Sequence, residues 1–226
     1  MIPLIMGHRG VVEYGYENCL SAVSIAKSLN VFAIEVDARV TRDKQAIVFH
    51  DESIKMPDET CYYIKDCDYK DIKKKRSYIP LLKDMLTTCQ QNDIFLNVEI
   101  KCLDKDIETP KIICKNIKIY GNKQSVVISS FCLKALEIAK YIATDIDTMF
   151  IVKKIPENWV DSLIKYRCKG IVVSIDHNHL NDIIKMKEFN YSIYVYTVNE
   201  KEMFQRLISL GIGVITDFPH TFSKYI

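Results

Sequence analysis

Apolar runs of strand length alternate along this chain with stretches that repeat at helical spacing. The runs predict strands over Pro3–Met6, Phe32–Ala38 with a partner at Ala46–His50, Ile94–Ile100, Val126–Ser129, Asp147–Val152, Gly170–Ser174, Ser192–Thr197 and Val214–Thr216. Between them, amphipathic spacing predicts helices over Asn18–Leu29, Pro80–Gln91, Pro110–Ile119, Leu133–Ile142, Glu157–Tyr166, Leu180–Phe189 and Glu200–Leu210, with a short tail after Phe218. In the first of these, Leu20, Val23, Ile25, Ala26 and Leu29 form the apolar face. Strands alternating with helices imply βαβ units, a parallel sheet and right-handed crossovers. Eight such units fit a (β/α)8 barrel of the TIM type, with a doubly wound open sheet as the alternative. Asp51–Tyr78 breaks the rhythm and is too long for an ordinary connection, so a small cap or lid is expected after the second strand.

Composition narrows this picture. The chain has 226 residues, of which 48% are hydrophobic and 27% charged, too apolar for disorder. Eight units and one insertion use up that length, which predicts a single barrel domain over residues 1–226 with residues 51–78 as an insertion within it. The 31 Lys and Arg nearly balance the 29 Asp and Glu, giving a formal net charge of +2 and no electrostatic case for nucleic acid. No apolar run approaches the ~20 residues of a membrane span. The first residues lack the basic and apolar regions of a secretory signal. Eight cysteines without a CxxC pair read as reduced, partly buried thiols, which points to a cytoplasmic protein.

Polar residues gather at the predicted strand ends, where barrels place their chemistry. The first strand runs into His8-Arg9; the second carries Glu35 and Asp37, two apart and hence on one face; its continuation ends at His50-Asp51. Glu99 and Lys101, again two apart, close the third, and Ser129-Ser130 the fourth. The seventh ends at Tyr196-Thr197-Val198-Asn199 and the eighth at Thr216-Asp217. Three carboxylates in one barrel mouth need cations to neutralise them, and a hard divalent metal with oxygen ligands does so directly. Two histidines with Arg9 and Lys101 at the same rim point to acid–base work on an anion, most simply a phosphate.

Taken in order, Gly7-His8-Arg9-Gly10, Glu17-Asn18, Glu35-x-Asp37, Thr41-x-Asp43, His50-Asp51, Glu99-x-Lys101, Ser130-Phe131, Thr197-Val198-Asn199 and Thr216-Asp217-x-Pro219 resemble the glycerophosphodiester phosphodiesterases. The resemblance spans nearly the whole chain and implies a (β/α)8 barrel with an insertion after the second strand. It implies that Glu35, Asp37 and Glu99 hold Mg2+ or Ca2+, that His8 and His50 are the acid–base pair, and that Arg9 and Lys101 contact the phosphate. Glu17 resembles the family's acidic residue near the site, Asn18 is a candidate cap of the first helix, and Tyr196 stands as an aromatic wall where the family commonly has Trp. The implied reaction releases glycerol 3-phosphate and an alcohol from a small glycerophosphodiester, through a cyclic phosphate or by direct attack of water. A lysophospholipase D activity at the same site is the alternative, kept open by the apolar Cys61-Tyr62-Tyr63-Ile64, and a non-catalytic phosphate-binding barrel is the other.

Departures from the family pattern include Tyr16 for Pro, Cys19 for Thr, Asn30 for Gly before the second strand, and Lys44 for Gly in the turn after Thr41. Asn tolerates a left-handed turn, whereas Lys44 is expected to strain one. The basic run Lys70–Arg76 reads as a solvated face, with contact to an anionic lipid surface as the functional alternative. His177-Asn178-His179 reads as a helix-entry loop, with Asp176 or Asn178 as the cap.

Overall fold

The computed structural model describes residues 2–15 and 17–224; Tyr16 lies outside the described residues. The chain runs β1 (Ile5–Gly7), α1 (Leu20–Ser28), β2 (Ala33–Val40), β3 (Ala46–Val48), β4 (Ser53–Lys55), β5 (Cys61–Tyr63), α2 (Tyr69–Lys75), α3 (Leu82–Gln91) and β6 (Phe95–Ile100). It continues through α4 (Glu108–Tyr120), β7 (Val126–Ser130), α5 (Leu133–Ile142), β8 (Asp147–Val152), α6 (Trp159–Tyr166) and β9 (Gly170–Ser174). It ends with α7 (Leu180–Lys185), β10 (Ser192–Tyr196), α8 (Lys201–Ser209), β11 (Gly213–Thr216) and α9 (Pro219–Ser223).

Eight strands pair in parallel in the order β1, β11, β10, β9, β8, β7, β6, β2, and β2 returns to β1 at Ile34 opposite Gly7. That last pairing closes the sheet, so the fold is a (β/α)8 barrel. Side-chain alternation sorts each strand between two environments. Ile34, Val36 and Ala38 of β2 and Leu96, Val98 and Ile100 of β6 join the core beneath α1, α3 and α4, where Val23, Met85 and Ile113 are fully buried. A second core of the same kind lies under α6–α8, around Leu163, Ile171, Phe204 and Val214. Inside the barrel, Met6, Ala33, Val127, Met149, Val172, Tyr194 and Ile215 form an apolar plug. The inward residues that follow along β2 and β6 are polar, so the plug is the floor on which the site stands.

The departure from the eightfold rhythm falls where expected. After β2, β3 turns back antiparallel, with Ala38 opposite Val48, and β4 and β5 form a separate two-stranded hairpin. With α2, this insertion packs around its own core of Ile47, Ile54, Ile64, Ile72 and Ile79. The basic run is largely α2, and four of its cations bind within the insertion, Lys73 to the Ser77 carbonyl and Lys74 to Asp71 among them. Lys75 sits 3.5 Å over the Tyr62 ring, and Arg76 donates to the Lys55 carbonyl at 2.9 Å.

Two turns carry left-handed residues in place of glycine: Asn30 at φ +57° and Lys44 at φ +61°. Asn30 holds this conformation at little cost; for Lys44 the Cβ contact costs about 1 kcal/mol. The helix expected over Leu180–Phe189 is shorter, since α7 ends at Lys185 and Met186–Phe189 tightens into a 3-10 turn. That turn ends in a left-handed Asn190, which reverses the chain into β10.

Candidate active site

Glu35 and Asp37 leave the inner face of β2, and the β2–β6 register sets Asp37 opposite Glu99. One oxygen from each of the three lies within 4.8 Å of the others. All three residues are at most 8% exposed, so their mutual repulsion is not relieved by water. The protein compensates unevenly. Asp37 receives Lys101 Nζ at 3.1 Å and Arg9 Nε at 3.5 Å, and Glu99 receives Lys101 Nζ at 2.6 Å. Glu35 has a backbone N–H, that of Arg9, on Oε2 at 2.9 Å, while its buried Oε1 has no partner.

The titration behaviour follows this asymmetry. Burial and the neighbouring Asp37 charge push Glu35 up to about 8, against the opposing pull of His8. Burial works the same way on Asp37, but Lys101, His50, Asn18 and Arg9 outweigh it and hold the carboxyl below its ordinary value. Glu99 is raised by burial despite Lys101. Glu35 therefore keeps a proton at neutral pH, and a divalent cation would replace that proton. Clustered carboxylate oxygens with one unpartnered atom are the donor set that Mg2+ or Ca2+ takes.

Asn18 does not cap α1; the residue preceding that helix is Cys19, and no side-chain cap bond forms. Instead Asn18 is buried in a left-handed conformation at φ +55°, turning its amide toward β2. Its Nδ2 donates to Asp37 Oδ2, and its Oδ1 accepts from the Asp37 backbone N–H, both at 2.9 Å. This pair of hydrogen bonds to one residue fixes the carboxylate's orientation.

The histidines follow two different strands, β1 and β3. His8 follows β1, and its Nδ1 lies 2.7 Å from Asp217 Oδ1, beyond the end of β11. Asp217 is held in turn by Asn199 Nδ2 on Oδ2 at 2.6 Å and by its own N–H to Asn199 Oδ1. Burial acts to lower His8, but the Asp217 hydrogen bond and the Glu35 charge raise it above its ordinary value. His50 is more exposed and pairs through Nδ1 with Asp51 Oδ1 at 2.7 Å. With both Nδ1 atoms engaged, Nε2 of each ring is the nitrogen left for a ligand in the cavity that both line.

That cavity, of about 390 Å³, opens at the C-terminal end of the barrel. It brings together His8, Arg9, Glu35, Asp37, His50, Glu99, Lys101 and Tyr196, all singled out from sequence. Arg9 arrives on the tight Gly7–Gly10 turn, where a Cβ on Gly7 would collide with the Gly10 carbonyl oxygen. Glu17 is not among the lining residues; it holds the Arg9 guanidinium, Oε2 to Nη1 at 2.8 Å. Tyr196 and Phe131 meet edge to face with centroids 6.3 Å apart, forming an aromatic wall. Burial, then the Glu99 charge, pushes the Tyr196 hydroxyl up to about 12, so it stays neutral.

Sequence reasoning missed Asn97 and Lys153, which also line the cavity. Lys153 directly follows β8, and Asn97 shares the inward face of Glu99, so strand phase would have found both. Asn97 and Ser129 are buried, and their side chains have no protein hydrogen-bond partner. Leaving such a group unpaired costs about 1–3 kcal/mol. Asn178 likewise is no helix cap: it donates to the Lys153 and Ser174 carbonyls and accepts from the Ile155 N–H, tying two barrel-end loops together.

Fold and cavity define the class first: a barrel hydrolase whose mouth suits an anionic ester. Residues 8–221 match the model of the Glycerophosphoryl diester phosphodiesterase family, and the chain belongs to that family. It is thus an enzyme of the phosphoric diester hydrolase class. A glycerophosphodiester phosphodiesterase from Caldanaerobacter subterraneus subsp. tengcongensis is 28% identical over 241 residues, covering 98% of this chain and 96% of that protein. Lysophospholipase D GDPD1 from Homo sapiens is 21% identical, with 95% and 83% covered. Among solved structures, a phosphodiesterase from Oleispira antarctica in complex with the product sn-glycerol-3-phosphate superposes with a TM-score of 0.89. It is 23% identical and covers 99% of this chain and 96% of its own, which shows the shared fold.

Proposed function

We propose that the protein hydrolyses small glycerophosphodiesters to glycerol 3-phosphate and an alcohol, with Glu35, Asp37 and Glu99 holding one divalent cation, Mg2+ or Ca2+. The observation that carries this reading is the convergence of three buried carboxylates, two carboxylate-paired histidines and three cationic side chains, Arg9, Lys101 and Lys153, on one cavity. When bound, the cation supplies positive charge and Lewis-acid polarisation at a phosphoryl oxygen. Arg9 and Lys101 stabilise the charge that builds on the phosphate oxygens. One of His8 and His50 takes the proton of the glycerol hydroxyl beside the phosphate as that oxygen bonds to phosphorus. The other gives a proton to the departing alkoxide as its P–O bond breaks. Water then opens the resulting cyclic phosphate with the two roles exchanged. Glu17 keeps Arg9 in place, and Tyr196 with Phe131 shapes the wall against the substrate.

The whole chain acts as one catalytic unit in this reading, with residues 51–78 as its cap. Eight free cysteines support a reducing, cytoplasmic setting. Among the described residues no helix is long and apolar enough to cross a membrane.

Release of glycerol 3-phosphate from glycerophosphocholine, with and without EDTA, tests the proposal. Chelation, His50→Ala and Glu35→Ala are each expected to reduce turnover at least ~100-fold. Full activity in chelator, or in either variant, refutes the cation and histidine assignments. The lysophospholipase D reading is favoured by a second cleft, of about 240 Å³, that shares Lys101 and Phe131 with the cavity and is walled by Tyr63, Ile64 and Leu103. A lysophospholipid assayed in parallel separates the two substrates.

A further inference from the structure

Asn97 stands on β6 two residues before Glu99, so both side chains enter the barrel from one face. The strand register makes it the direct cross-strand neighbour of Glu35. It is 1% exposed, yet neither Oδ1 nor Nδ2 has a hydrogen-bond partner in the protein. Buried amides are almost always paired, so such a residue calls for an explanation. Glu35 Oε1 and Ser129 Oγ share the same condition, and all three residues line the catalytic cavity. The strand itself does not require an amide here. The barrel-facing positions Val127 on β7 and Met149 on β8 are filled by apolar side chains.

The three carboxylates also differ in how firmly they are held. Asp37 has Asn18, Lys101 and Arg9; Glu99 has Lys101; the Glu35 side chain has a backbone N–H on one oxygen. Among the described residues Glu35 is the member of the three without a salt bridge, held through one backbone N–H, and the unpartnered amide lies beside it. A carboxylate that ligates a metal is itself normally hydrogen-bonded.

We infer that Asn97 is a positioning residue of the cation site, its amide orienting Glu35 through Oε1, directly or through a water shared with Ser129. The amide is neutral, so it fixes the ligand without adding charge to a cluster already crowded with it. Its place in the sequence follows from strand phase: the barrel-facing position before Glu99 on β6 is the one that meets Glu35. This inference rests on the cation reading above.

Calorimetric titration of Ca2+ and of Mg2+ into wild type, Asn97→Leu, Asn97→Ser and the control Glu35→Gln tests it, together with melting temperatures of the chelator-treated proteins. Asn97→Leu keeps the volume and removes the unpaired polar atoms; Asn97→Ser shortens the reach. Both are expected to bind the cation about 10–100-fold more weakly. Cation-free Asn97→Leu is expected to melt no lower than wild type, because it removes an unpaired amide from the interior. Unchanged affinity in both variants overturns the inference. So does a loss of affinity that tracks a loss of cation-free stability in both, the mark of an amide with only a packing role. If wild type binds neither cation, or Glu35→Gln binds as wild type does, the cation reading itself falls.

Discussion

Asn18 offers a sharp test because its side chain makes two hydrogen bonds to one residue of the carboxylate cluster and its backbone is left-handed. In Asn18→Ala the Asp37 carboxylate loses a donor at 2.9 Å, and the Asp37 N–H loses its acceptor at the same distance. A hydrogen bond to a charged group is worth about 1.5–3 kcal/mol, and an N–H left buried without a partner costs about 1–3 kcal/mol. Ala must also adopt φ +55°, where Asn is tolerated and Ala is not, adding up to about 1 kcal/mol. These contributions span about 2.5–7 kcal/mol, and because Lys101 and Arg9 keep the Asp37 charge paired the loss is expected in the lower half of that range, about 4 kcal/mol. For a chain of this size that lowers the melting temperature by roughly 8–16 °C. Urea unfolding followed by circular dichroism reads the free energy, with an unchanged slope showing that the transition is the same. Asn18→Gly isolates the backbone part: it lacks the same bonds but takes the left-handed conformation freely, and should be about 1 kcal/mol less damaging than Ala. A loss below about 1 kcal/mol in Asn18→Ala, or a Gly variant no better than Ala, refutes the assignment.

Three further outcomes follow from the same geometry. Asp217→Asn removes the partner that raises His8, so the His8 ring should titrate at lower pH in an NMR-monitored titration. A raised folded-state His contributes stability that is full below its unfolded value and fades as pH rises through the folded one. The variant should therefore lose more stability at about pH 5.5 than at about pH 8.5, and an equal loss refutes the assignment. Lys44→Gly removes a left-handed Lys at φ +61° and should raise the urea midpoint, a gain of about 0.5–1 kcal/mol at constant slope; a lowered midpoint counts against strain there. Because Glu35 is pushed up to about 8, a cation must displace its proton at neutral pH. Calorimetry in two buffers of different ionisation heat should show about one proton released near pH 7 and an affinity that rises with pH and levels off above about 8, whereas a pH-independent affinity refutes the shift.

The elements most legible in the sequence were those with abrupt apolar boundaries. β8, β9 and α5 fall on their expected limits because turn residues or charges flank each apolar run. The carboxylate trio was legible for a related reason: a strand has a period of two, so Glu35-x-Asp37 and Glu99-x-Lys101 each had to share a face. What a local pattern could not show was the partner of a polar residue. Asn18 just ahead of a helix has the sequence signature of a cap, yet its partner is Asp37, 19 positions on. Glu17 stands near Arg9 in the sequence and holds its guanidinium without lining the cavity. Asn97 carried no charge and broke no pattern, so nothing but the phase of β6 marked it.

The same geometry explains why no single motif carried the function while the ordered set did. His8 is positioned by Asp217, 209 residues away, and the His8 N–H donates to the Thr216 carbonyl at 2.8 Å. Those contacts exist because β1 pairs with β11, so the first histidine is oriented by the last strand of the chain. Arg9 meets Glu35 and Asp37 through the β1–β2 seam, and Lys101 reaches Asp37 through the β2–β6 seam. Charges that nearly cancel in the whole chain, +2 in total, are thus opposed in detail at one rim: three cationic side chains, three carboxylates, and histidines each paired to a further acid. Ring closure and site assembly are one event in this fold. Detaching β1 from both neighbours would lose the His8 partner and the Arg9 contacts together, leaving the Glu35–Asp37–Glu99 cluster ion-paired to Lys101.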